Sequence, residues 1–121
     1  KSAKLLNIKV VEIEVEDTEF VASPARIKRA ITRSTCAIIA SVPNYPYGTC
    51  DDVEAIAKVA KEAQVGCHVD ACCGGFLIPF FEDEQPRFDF RIPGVTSISA
   101  DTHKYGLSPK GSSVILYSSE E

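Results

Sequence analysis

The chain has 121 residues, 45% hydrophobic and 25% charged, with a net charge of -4, a balance that suits one globular core or a piece of one. The acidic excess excludes a nucleic-acid footprint, which needs Lys and Arg clustered on one face, so Arg26-Ile27-Lys28-Arg29 reads as the wet side of a helix. No apolar run approaches the roughly 20 residues of a bilayer-spanning helix, no signal segment stands at the start, and an odd count of five cysteines with adjacent Cys72-Cys73 speaks for reduced thiols in a cytosolic compartment rather than a disulfide framework. The absence of methionine suggests an excerpt of a longer chain.

Asn7 to Val15 alternates apolar with polar, the period-2 pattern of a half-exposed strand. Ser23-Pro24 offers a cap and a first-turn proline, and Ile27, Ala30 and Ile31 recur at helical spacing, which predicts a helix from about Pro24 to Arg33. Thr35 to Ser41 is a near-continuous apolar run, expected for a strand buried on both faces. Two prolines and a glycine make Pro43 to Gly48 a loop. Asp51 or Asp52 caps a second helix with a stripe of Val53, Ile56, Ala57 and Ala60, running to about Gln64 and ended by Gly66. Cys67 to Asp70 is a short strand that stops at a small-residue turn, Ala71 to Gly75. A looser stretch through Phe80, Phe88 and Pro93 leads to Val95 to Ala100, again of buried-strand type, and after the polar turn Asp101 to Gly111 a last strand spans Ser112 to Tyr117.

Strands alternating with helices predict an α/β fold with a mainly parallel sheet covered by helices on both faces. Ligands in such sheets bind beyond the carboxyl ends of the strands, which singles out the loops after Ser41, Asp70 and Ala100. Two groups stand there, Asp70 and Lys104. An amine and a carboxylate on neighbouring strand ends suit pyridoxal phosphate (PLP) chemistry, in which a lysine forms a Schiff base and an acid keeps the pyridine nitrogen protonated. Taken singly, a strand-terminal Asp is more often a helix or turn cap, and a lone loop Lys is nearly always solvated.

The words around them are more specific. His68-Val69-Asp70-Ala71-Cys72-Cys73-Gly74-Gly75-Phe76, Gly94 to Gly106 with Ala100-Asp101-Thr102-His103-Lys104-Tyr105-Gly106, and Pro109-Lys110-Gly111-Ser112-Ser113 resemble the sphingosine-1-phosphate lyase family. Arg29 to Arg33, the Ser41 to Gly48 loop and Phe88 to Arg91 extend the resemblance over nearly the whole chain. The HVDA and HK words are shared with related PLP-dependent amino-acid decarboxylases.

The resemblance implies a fold type I PLP enzyme and assigns Lys104 as the Schiff-base lysine and Asp70 as the partner of the pyridinium nitrogen. It sets Cys72 against one face of the ring, His103 near the cofactor phosphate and Ser41 among the cofactor-binding residues. Lys110, Tyr105 and Asn44 are weaker candidates for substrate or phosphate, and His68 is a supporting hydrogen-bond partner of Asp70. The family's upstream phosphate-binding loop and its C-terminal domain are expected outside this chain, which would then be the central part of a large PLP-binding domain, inactive alone.

The activity implied is cleavage of a phosphorylated sphingoid base to phosphoethanolamine and a long-chain aldehyde, in a homodimer that is cytoplasmic or held on the cytosolic face of the endoplasmic reticulum by an upstream anchor. Amino-acid decarboxylation is the alternative. A distant third reading makes Cys67, His68, Asp70, Cys72 and Cys73 a metal or thiol module, with the residues crowded into one strand end and no second cluster of ligands.

Overall fold

A computed structural model describes residues 2–15, 18–81 and 85–119. Its elements in chain order are α1 (Ser2–Leu5), α2 (Pro24–Ala30), β1 (Ala37–Ser41), α3 (Val53–Ala63), β2 (Gly66–Asp70), a single 3-10 turn (Ile78–Phe80), β3 (Ser97–Ala100) and β4 (Val114–Tyr117). The four strands form one sheet in the order β1-β2-β3-β4, with the first three parallel and β4 antiparallel to β3. The mainly parallel α/β sheet therefore stands as the alternating pattern predicts.

Helix α3 forms where the apolar stripe and the caps agree. The Asp52 carboxylate accepts the Ala55 N–H at 2.9 Å, satisfying one of the amides that a helix start leaves open. Val53, Ile56, Ala57 and Ala60 lie on one side and are buried. Gln64, in the left-handed conformation with φ 57°, stops the helix, and Gly66 instead opens β2. Helix α2 has Pro24 in its first turn, but the Ser23 side chain makes no cap; only its carbonyl accepts the Ile27 N–H. It also ends at Ala30, three residues before the predicted Arg33. The reason is local competition: Thr32 and Ser34 donate their backbone N–H groups to the hydroxyls of Thr35 and Thr32 instead of to a helical turn.

The sheet is covered on one side. Ile38 and Ala40 of β1, Cys67 and Val69 of β2 and Ile98 of β3 are buried in one cluster with the α3 stripe, Ile27, Ile78, Phe88, Ile92 and Val95, and α3 packs on β1 and β2. Burial of each such Val or Ile contributes about 1.5–3 kcal/mol, so this layer holds the sheet together.

The expectation of helices on both faces is met on that face alone among the described residues. The alternate positions Ile39, His68, Asp70, Ser97 and Ser99 face the other way, and Ile39 is 66% exposed. A run such as Ala37-Ile38-Ile39-Ala40 is apolar on both sides, yet only one side has a neighbour here. All of β4 is exposed as well.

The segment Asn7 to Val15 is not a strand. It joins no ladder and is tied down by the partly buried Ile13 and by Arg26 Nη1, which donates to the Glu14 carbonyl at 3.0 Å. Period-2 alternation defines two faces but supplies no neighbour, and a strand needs one. Pro43 to Gly48 is the expected loop, with Gly48 at φ 72° where the turn needs a residue free of Cβ strain.

Candidate active site

Parallel pairing brings three strand ends to one edge. Ser41 of β1, Asp70 of β2 and Ser99 of β3 sit in register as neighbours, so the loops after them share one rim, as the rule for open α/β sheets anticipates. The small-residue turn after β2 folds over that rim. A Cβ on Gly74 would run into the Val42 carbonyl oxygen, and one on Gly75 would meet the Ala100 Cβ at 2.7 Å. Only glycines let this turn settle so close to the ends of β1 and β3.

That turn carries Cys72 between the two groups that matter. The Cys72 N–H donates to Asp70 Oδ1 at 3.1 Å, and Lys104 Nζ donates to Cys72 Sγ at 2.9 Å. The Ser99 hydroxyl also donates to Asp70 Oδ1, at 3.4 Å. Both of these contacts fall on Oδ1, and the Cys72 thiol is a further hydrogen-bond partner of the same carboxylate.

His68 supports this arrangement from the same face. Its Nδ1 lies 2.8 Å from Ser97 Oγ and its Nε2 3.2 Å from Ser99 Oγ. Ser99 has a single proton and directs it to Asp70, so in this network Nε2–H donates to Ser99 and Nδ1 accepts from Ser97. The resulting chain runs Ser97, His68, Ser99, Asp70.

Lys104 is held on its other side by Asp101, whose Oδ2 lies 3.0 Å from Nζ. Asp101 Oδ1 accepts the Ser113 hydroxyl at 2.6 Å. The Ser113 hydrogen bond first, then Lys104, holds the Asp101 carboxyl below its ordinary range against the opposing effect of burial. The Cys72 sulfur and then the Asp101 carboxylate strengthen the hold of Lys104 on its proton, with burial opposing. Burial pushes the Cys72 thiol up to about 11 despite the Lys104 hydrogen bond, so at neutral pH the charged partner of Lys104 is Asp101. Asp101 escaped sequence reading, although its place three residues before Lys104 at the start of a turn was the available signal.

The remaining candidates divide. His103 is on the same turn, with Nδ1 bonded to the Ser112 carbonyl at 2.5 Å, which fixes the proton on Nδ1; its Nε2 stands 3.8 Å from Asp101 Oδ2. Ser41 is on the rim, its N–H donating to Asp51 Oδ2 at 2.7 Å. The buried Asp51 also accepts the Ala22 N–H, so it braces the end of β1. The Asn44 side chain is taken up by the Phe20 carbonyl, Thr49 Oγ1 and the Tyr47 N–H. Tyr105 and Lys110 are exposed, with no hydrogen bond or ion pair among the described residues.

Cys67 faces the core beneath α3, opposite to His68 and Asp70, because successive strand residues alternate. The five residues of the metal reading thus do not converge, and among the described residues no group of three His, Cys, Asp or Glu could hold a metal ion. All five cysteines are free, and no described helix is long and apolar enough to cross a membrane.

The donor set suits an aldehyde cofactor with a basic ring nitrogen: a primary amine at Lys104, a carboxylate at Asp70, and the small Cys72 between them, where a flat ring has only a thiol to pack against.

Comparison with known proteins agrees with this set. Residues 1–121 match the family model described as the pyridoxal-dependent decarboxylase conserved domain. The chain is 48% identical to mouse sphingosine-1-phosphate lyase 1 over 126 residues, all of this chain and 22% of that protein. Among solved structures it resembles the sphingosine-1-phosphate lyase of Burkholderia pseudomallei, with a TM-score of 0.92 and 39% identity over 98% of this chain and 28% of the other. It also resembles the glutamate decarboxylase of Lactobacillus brevis, with a TM-score of 0.89 and 27% identity over 98% of this chain and 28% of the other. The chain thus spans about a quarter of the length of such relatives.

Proposed function

This chain belongs to the pyridoxal-dependent decarboxylase family, and on that premise we propose that the complete protein is a carbon-carbon lyase of sphingolipid catabolism, cleaving a phosphorylated long-chain base to phosphoethanolamine and a long-chain aldehyde. The observation that carries the proposal is the linked set Asp70, Cys72 and Lys104 at the carboxyl rim of a parallel sheet, in a chain 48% identical to a protein named for that reaction. Pyridoxal phosphate is the family's cofactor, and when bound it supplies a sink for the electron pair left on the substrate's Cα as its Cα–Cβ bond breaks.

The chain's own residues have distinct tasks. Lys104 would hold the cofactor aldehyde and, with its amine free, would move a proton at the substrate's Cα. Asp70 would hold the ring nitrogen of the cofactor, while Ser99 and the Cys72 N–H keep Oδ1 engaged and the carboxylate oriented. Cys72 would pack against the ring, and His103 with Ser41 would serve the cofactor's phosphate side. The exposed Lys110 and Tyr105 are the secondary candidates for substrate or phosphate, whereas the Asn44 side chain, engaged by Phe20, Thr49 and Tyr47, shapes its loop. The complete protein is a homodimer working in the cytosol or on the cytosolic face of the endoplasmic reticulum, a reducing compartment that suits five free thiols.

The second reading is an amino-acid decarboxylase, favoured by the close fit to the Lactobacillus brevis enzyme. Higher identity to the lyases, at 48% and 39% against 27%, favours the first.

The test is borohydride reduction of the complete PLP-loaded protein followed by peptide mapping. The pyridoxyl group is expected on Lys104 and absent in Lys104→Ala, whose turnover falls by at least about 10³-fold, within the range for loss of a proton-transfer group. No label on Lys104 would remove the cofactor assignment. Release of carbon dioxide from an amino acid, without aldehyde from a phosphorylated sphingoid base, would install the decarboxylase reading instead.

A further inference from the structure

We propose that Asp101 is the positioning residue of Lys104: fixed by the ends of β3 and β4 and by the Cys72 turn, it holds the uncombined amine aimed at Cys72 and strengthens its hold on its proton. The inference rests on Lys104 being the cofactor lysine.

Geometry separates Asp101 from an ordinary turn ion pair. A surface carboxylate three residues from a lysine swings freely and is worth little. Asp101 is only 15% exposed in its side chain, and both its oxygens are engaged, Oδ1 by Ser113 at 2.6 Å and Oδ2 by Lys104 at 3.0 Å. Its backbone is pinned too: the Asp101 N–H donates to the Cys72 carbonyl at 3.2 Å, and the Lys104 N–H to the Asp101 carbonyl at 3.2 Å. Ser113 immediately precedes β4, which is paired to β3, so the carboxylate has an attachment to the sheet that does not depend on the lysine. The anchor stays while the amine comes and goes.

The groups facing Lys104 decide which one governs its charge. Cys72 Sγ is nearest at 2.9 Å, but burial pushes its thiol up to about 11 and so keeps it uncharged at neutral pH. Cys73 is the next sulfur in that turn, and its effect on Lys104 stands behind those of Cys72 and Asp101. His103 shares Asp101 Oδ2 at the longer 3.8 Å, and Asp70 acts through Cys72. At neutral pH the full negative charge in contact with Nζ is therefore that of Asp101. A fixed carboxylate at this range favours the ammonium, typically by about one pKa unit or more.

The experiment uses the complete protein freed of cofactor, labelled with trace acetic anhydride between pH 7 and 11, and follows acetylation at Lys104 by peptide mass. In Asp101→Asn the midpoint of Lys104 labelling is expected to fall by about one pH unit, which makes labelling at pH 9 about tenfold faster. Asp101→Glu should restore part of the shift, and Cys72→Ser should move the midpoint less than Asp101→Asn does. An unchanged midpoint in Asp101→Asn, or a larger shift in Cys72→Ser, would overturn the proposal. If Asp101→Asn does not fold, Ser113→Ala, which removes the donor to Oδ1, is expected to lower the midpoint by an intermediate amount; no change there would overturn it equally. Pyridoxyl mapping of the unmutated protein runs beside the titration. A missing label on Lys104 sinks the cofactor reading alone, whereas an unmoved titration sinks the role of Asp101 alone.

Discussion

The two faces of the sheet are built from alternate residues of the same three strands, and they do different work. Ile38, Ala40, Cys67, Val69 and Ile98 are apolar, buried under α3 and closed to solvent. His68, Asp70, Ser97 and Ser99, one residue away in each case, form a polar hydrogen-bonded chain that ends at the candidate active site. Period 2 is what makes this possible: stability and chemistry are separated by a single step along the chain, with the backbone ladder common to both. A change on one face should therefore leave the other largely intact.

The largest expected effect breaks the comparison from the packed side. Ile56 of α3 is fully buried over β1 and β2, so Ile56→Ala in the complete protein should cost about 2–5 kcal/mol of unfolding free energy, read from the midpoint shift in urea. Pyridoxyl labelling of Lys104 below the transition should persist. Loss of labelling in a still folded Ile56→Ala protein would mean that the faces are coupled.

The converse variant is Asp70→Asn, which keeps the shape and removes the charge expected to hold the ring nitrogen protonated. Turnover should fall by about 10²-fold, in the range for losing one electrostatic contact at a reacting centre, with the urea midpoint shifted by less than that of Ile56→Ala. Unaltered turnover would show that the Asp70 carboxylate serves no bound group.

Reading the sequence reached the packed face and part of the site for the same reason. The α3 stripe, the Asp52 cap and the strands ending at Ser41, Asp70 and Ala100 are local patterns, and local patterns survive folding. Asp70 and Lys104 were found as strand-end groups of complementary chemistry, and Cys72 through resemblance; their direct linkage is a tertiary fact. What failed needed knowledge of neighbours. The alternation of Asn7 to Val15 could not say that no strand lies beside it, and the double-sided apolar character of Ile38-Ile39 could not say that one side is bare. Asp101 was passed over because its value comes from Ser113, twelve residues away, and from the Cys72 carbonyl, which only the sheet brings near.

The smallest expected effect sits where the two faces meet, at the end of β3. The Asp101 carboxyl has a lowered pKa in the folded protein, so the stability it contributes is fully present above its ordinary value of 3.8 and is lost as pH falls through the depressed value. The raised pKa of its partner Lys104 works in the opposite direction: that contribution is fully present below the ordinary 10.5 and fades as pH rises through the raised value. The difference in urea midpoint between the unmutated protein and Asp101→Asn should thus be flat from about pH 5 to 9, at no more than about 1 kcal/mol because both groups keep some contact with solvent, and should shrink at more acid and more alkaline pH. A difference that is constant from pH 3 to 11 would mean that Asp101 serves as a neutral hydrogen-bonding strut between β3 and β4, and the charge on Lys104 would then have to be set from the Cys72 side.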